Sequence, residues 1–165
     1  MRDLQAKMLA AVLDGAGLKG VAELAASEAG GPVAILLPAR GLAAAAPLDE
    51  APAEVVEYVA SALRGNGVAP PGAIEAELEV NAGDERIGSV IALPANGSGS
   101  PASLKLDRDE VLRAAAFAAL AEVAATDARD RLADEVRGGV LEDLRTGAIK
   151  PAETVRRAAR LGCDL

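Results

Sequence analysis

Residues 73–93 read AIEAELEVNAGDERIGSVIAL, and the two halves of this stretch carry different hydrophobic patterns. In Ala73 to Val80 the apolar residues Ile74, Ala76, Leu78 and Val80 alternate with Glu75, Glu77 and Glu79. A strict period of two places one set on each side of a β-strand. One face is therefore expected in a core and the other, lined by carboxylates, in solvent. Asn81 to Glu85 supplies turn residues, and Arg86 to Leu93 returns as a more continuously apolar strand. The pair predicts an antiparallel hairpin.

Outward from the hairpin, the chain alternates helical and strand patterns. Leu4, Met8 and Val12 form one apolar stripe of a helix over 2–14, which Gly15 and Gly17 interrupt. A second helix over 18–29 carries Leu18, Val21, Leu24 and Ala25 and is stopped by Gly30-Gly31-Pro32. Val33 to Leu37, VAILL, lies between two prolines and reads as a buried strand. Arg40-Gly41 turns the chain into a weaker strand at Leu42 to Ala46. A further amphipathic helix follows from Ala53 to Arg64, with Val55, Val56, Val59 and Leu63 as its apolar positions. The expected fold is α+β, an antiparallel sheet including 33–37, 73–80 and 86–93, flanked by helices. This core occupies residues 1–105.

Past NGSGSPAS (Asn96 to Ser103), a loop by composition, a long helical pattern opens at Asp107, which can cap while Glu110 reaches back. It runs over 107–146, weakened at Gly138-Gly139, and at ~1.5 Å per residue would span roughly 58 Å. Leu112, Ala116, Ala119 and Val123 recur with 4-3-4 spacing, the pattern of a coiled-coil seam. Because sheet coverage cannot use the whole length, these four residues are the candidate interface of a homodimer.

Composition removes several function classes. The 165 residues include no His, no Trp, one Cys, one Tyr and one Phe, and the net charge is −8. Without His and with only Cys163, the usual zinc, haem and iron–sulfur sites cannot be assembled, nor can Ser–His–Asp or Cys–His catalysis. Hence no catalytic residue, metal ligand or cofactor is assigned, and the chain is expected not to be an enzyme. The negative charge opposes direct nucleic-acid binding. No 18-residue uncharged apolar run or signal-peptide pattern is present, so the expectation is a cytoplasmic protein with no membrane partner.

Some patterns have ordinary readings. Gly15-Ala16-Gly17-Leu18-Lys19-Gly20 matches G-x-G-x-x-G, but a helix precedes it where a dinucleotide site needs a strand. It reads as a helix–helix turn. Asn96-Gly97-Ser98 is a glycosylation acceptor only in a secreted chain. Glu75, Glu77 and Glu79 read as a solvated strand face rather than a cation site.

The last segment carries a resemblance. Val140-Leu141-x-Asp143-Leu144-x-x-Gly147, followed by Arg157-Ala158-x-x-Leu161-Gly162-x-Asp164-Leu165, resembles a junction in PucR/CdaR-type bacterial transcriptional regulators. Arg145 departs from that pattern, which usually has an apolar residue there. The strand–turn–strand at 73–93, with Gly88 after an apolar residue, is similar to the one in GAF domains, and the helix from Asp107 is similar to the signalling helix that leaves them. The resemblance implies a GAF-like sensory and dimerisation domain. It would signal through the long helix to GGDEF-like and helix-turn-helix domains outside this chain, with 147–165 as the start of the junction. A small metabolite is the implied effector, at residues the sequence leaves unknown. The alternative is a constitutive dimerisation scaffold with no ligand.

Overall fold

The computed structural model describes residues 2–95 and 107–146. In chain order the elements are α1 (Arg2–Leu13), α2 (Gly17–Ala29), β1 (Val33–Leu37), a 3-10 turn at Pro38–Arg40, β2 (Leu42–Ala46), α3 (Ala53–Leu63), β3 (Ala76–Ala82), β4 (Glu85–Ala92) and α4 (Arg108–Thr146). The fold is α+β. Its strands form a four-stranded sheet in the order β2-β1-β4-β3, and every neighbouring pair is antiparallel. By its contacts the chain divides into two units, Met1–Val123 and Ala124–Leu165.

In the first unit the sheet is covered on both faces. Val33, Ile35 and Leu37 of β1 and Val90 and Ala92 of β4 share a core with Leu4, Met8 and Val12 of α1, Val21 and Ala25 of α2, and the start of α4. Ala34, Leu36, Ile91 and Leu93 pack on the opposite face against Val55 and Val59 of α3. An inner strand between two helical layers has no wet side, which is why VAILL is apolar without alternation and all five of its residues are buried.

The hairpin forms where the sequence indicates, with shifted edges. Ala82 pairs with Glu85, so the turn contracts to Gly83-Asp84, with Gly83 at a φ of 66° that favours glycine. The strand expected at 73–80 begins instead at Ala76. Ahead of it the Ile74 amide bonds the Pro71 carbonyl in a turn, and Ala73 and Ile74 pack into the α3 layer.

The candidate dimer seam lies against the domain's own core. Leu112, Ala116, Ala119 and Val123 are all buried within the single chain, in the same core as α1, α2 and the sheet. The alanines that keep this helix surface shallow let α4 settle on the domain's own apolar layer. Among the large hydrophobic residues of this segment Phe117 stands exposed.

In the second unit the described residues continue α4. Leu132 is exposed and lines a shallow hollow with Arg129, Ala133, Val136 and Arg137. Arg145, the position that departs from the family pattern, donates from Nε and Nη2 to the two carboxylate oxygens of Glu142 at 2.9 and 2.7 Å. That pairing holds the Glu142 carboxyl below its ordinary pKa and raises that of Arg145. Cys163, Asn96 and residues 147–165 of the junction lie outside the described residues.

Candidate functional site

The polar face of the hairpin is organised by an irregularity in β4. Val80 faces Gly88 while Asn81 faces Arg86, so Ile87 is the extra residue of a β-bulge. In a regular strand Arg86 and Ser89, three apart, would point to opposite faces. The bulge turns Ile87 into the α1/α2 core and leaves Arg86 on the side of Ser89, Glu77 and Glu79.

There the groups close on Glu77. Its Oε1 accepts hydrogen bonds from Arg86 Nη2 and Ser89 Oγ, both at 2.7 Å, and its Oε2 accepts from the Tyr58 hydroxyl at 2.8 Å. Arg86 Nη2 also donates to Ser89 Oγ at 2.8 Å, and Nη1 donates to Glu79 at 2.7 Å. Glu77 and Arg86 are only 18% and 23% exposed, against 54% for Glu79. Nε of Arg86 is buried with no hydrogen-bond partner among the described residues.

The expected solvated carboxylate face holds at Glu75 and Glu79, which are exposed, and is covered at Glu77 alone. Glu75 pairs with Arg108 at the start of α4, and Glu77 and Glu79 share Arg86. At Glu77, partly covered by Tyr58 of α3, an unpaired carboxylate would be costly, and Arg86 removes that cost. Among the described residues no group of three or more acidic, Cys or His side chains could hold a metal ion.

Tyr58 is the member of the cluster contributed by α3. Its pKa is raised, first by donating to Glu77, then by burial and by the negative charge of Glu77, against a smaller lowering by Arg86. The neutral phenol is thus the form the fold favours. Chemically the cluster is a clamp that fixes α3 to the hairpin. With both Glu77 oxygens engaged, it offers no ready base beside a nucleophile. Sequence reading missed Tyr58, Arg86 and Ser89, because a bulge is a property of strand pairing and leaves no mark on a single strand's periodicity.

A separate cleft of about 550 Å³ opens between Glu23, Ala26 and Ser27 of α2, Gly31-Pro32, Ala46-Pro47-Leu48 and Ala95. Its volume suits a small molecule, its walls are largely apolar, and it shares no residue with the Glu77 cluster. Gly15 lies in the α1–α2 connection and Gly17 opens α2, both with positive φ, so the G-x-G-x-x-G match is a helix–helix turn. No described helix is long and apolar enough to cross a membrane.

No family model, curated protein or solved structure matches this chain.

Proposed function

We propose that this chain is a GAF-like sensory and dimerisation domain of a PucR/CdaR-type transcriptional regulator, with α4 as the element that carries its state onward. The observation behind this reading is the placement of α4. Val111, Leu112, Ala115, Ala118 and Ala119 are buried in the core beneath the sheet, and the helix continues to Thr146. A change in how the sheet layer packs would be felt by α4 at these buried residues. A small metabolite in the α2–Pro47 cleft would act only if it bound two packings of that layer with different affinity.

A second reading, a ligand-free dimerisation scaffold, draws support from the other face of the sheet. There Val55, Val59 and Tyr58 of α3 close over Leu36 and Ile91, and the polar groups beside them are spent on one another.

Thermal unfolding against purine intermediates, sugar acids and cyclic nucleotides separates the two. A ligand at 100 times its dissociation constant stabilises by about 2.7 kcal/mol. The sensor reading expects such a shift, abolished by Ala26→Trp, which fills the cleft. A flat response across the panel favours the scaffold. Light scattering that finds only monomer removes dimerisation from both.

A further inference from the structure

The apolar cleft beside α2 has a polarity that narrows what it can hold. It opens at the end of the sheet where β1 begins and β2 and β4 finish, since Val33 pairs with both Ala46 and Ala92. Pro32, Ala46, Pro47 and Leu48 give it apolar walls. Glu23 and Ser27, one helical turn apart on α2, supply the polar side chains among its described lining residues. Both are exposed, and neither makes a hydrogen bond or ion pair with another described residue.

Charge around the cleft has one sign. No Lys or Arg stands among the described residues that line it. Lys19, one turn before Glu23, borders a different hollow beside Leu42 and Glu122 and forms no ion pair with Glu23. The backbone adds to this bias where α2 ends. The Gly30 and Gly31 amides both return to the Ala26 carbonyl, so the carbonyls of the final turn remain at the negative end of the helix dipole. A carboxylate or phosphate entering the cleft meets like charge at Glu23. An ammonium group finds a charged acceptor there and a second acceptor in the Ser27 hydroxyl.

We propose that the cleft takes a small amine in its protonated form, its apolar body against Pro32, Pro47 and Leu48 and its ammonium group between Glu23 and Ser27. A volume of about 550 Å³ admits a body of aryl-alkyl size. Ala46 belongs both to the cleft wall and to the core shared with α4, so the ligand touches the layer on which a sensor would act. This inference rests on the sensor reading and names the ligand class for it.

Isothermal titration calorimetry of the whole chain tests the class with three probes that share one body: phenethylamine, phenethyl alcohol and phenylpropionate. The amine is expected to bind best, and the carboxylate at least ~10-fold more weakly. Glu23→Gln should weaken the amine about 10-fold, through loss of a charge-assisted hydrogen bond, and Glu23→Lys should reverse the order of amine and carboxylate. Ala26→Trp should remove binding of all three, with circular dichroism confirming that each variant folds. Binding of the amine upholds the sensor reading however purines and sugar acids behave. A carboxylate as tight as the amine, or an order indifferent to both changes at Glu23, overturns the amine assignment and leaves the cleft its sensor role. Amine binding that survives Ala26→Trp overturns the location. If none of the three binds, the amine assignment falls, and the purine and sugar-acid panel alone decides the sensor reading.

Discussion

Arg86 and Ser89 stand three residues apart on one strand, yet the guanidinium reaches the hydroxyl at 2.8 Å. The bulge at Ile87 makes this possible, and with it the whole cluster around Glu77. Removing the hub is therefore expected to cost more than removing a peripheral member. Glu77→Ala leaves Arg86 and Ser89 half-buried or buried without their acceptor, a loss of about 2–3 kcal/mol. Glu79→Ala, at a far more exposed position, should cost less than about 1 kcal/mol. Urea unfolding of both variants checks the ratio; equal losses would contradict the central role of Glu77.

Tyr58 is the chain's one tyrosine, and there is no tryptophan, so absorbance near 295 nm reports its ionisation alone. Its pKa is raised by the bond to Glu77, and the titration midpoint is expected above the ordinary value of about 10. Because the neutral phenol is the favoured form, the stability it contributes is fully present below the ordinary value and lost as pH climbs through the raised one. Glu77→Gln should bring the midpoint down toward that of a free tyrosine. A midpoint unmoved by that change would show that Glu77 is not its cause.

Gly88 allows β1 to pass close by. A Cβ there would collide with the Leu36 carbonyl oxygen and with Cα of Leu37, and backbone on a central strand cannot give way cheaply. Gly88→Ala is expected to destabilise by about 3 kcal/mol or more. Gly138, inside α4, has nothing within 4 Å of the same added atom. There the substitution to Ala should instead raise helix stability by about 1 kcal/mol. Thermal melts followed by circular dichroism distinguish the opposite signs.

The buried alanines of α4 make a different forecast from that of an intermolecular seam. Ala119 is fully buried in the domain core, so Ala119→Leu overpacks it at a cost of about 1–3 kcal/mol. The oligomeric state measured by sedimentation should stay as it is. Loss of dimer without loss of stability would return the stripe to an interface role.

These outcomes trace how far the sequence could be read. Elements with one strong periodicity were legible: VAILL as a buried strand, the Leu4-Met8-Val12 stripe, the 73–93 hairpin and the start of α4 near Asp107. The partner of a stripe was not. Leu112, Ala116, Ala119 and Val123 have the same spacing whether they face a second chain or their own sheet, and only the fold supplies the surface that covers them. The face of Glu75, Glu77 and Glu79 was legible as solvated at its two ends, and the covering of Glu77 was not. Alternation tells which residues share a side, but not that Tyr58 of α3 reaches Glu77 or that Arg86 and Arg108 arrive there.

The order of strands also has a kinetic meaning. β1–β2 and β3–β4 are neighbours in the chain and need only short turns, whereas β1 meets β4 through the pairing of Val33 with Ala92. The entropy of closing that intervening loop must be met before the contact returns any energy. Two hairpins can thus zip independently while the sheet stays open along its middle. The rate of folding should be governed by that closure, so trimming Ile35 or Val90 at the β1–β4 junction slows refolding. Trimming Val123, late in the core segment of α4, should chiefly hasten unfolding, and stopped-flow chevrons of the three variants would reveal the difference.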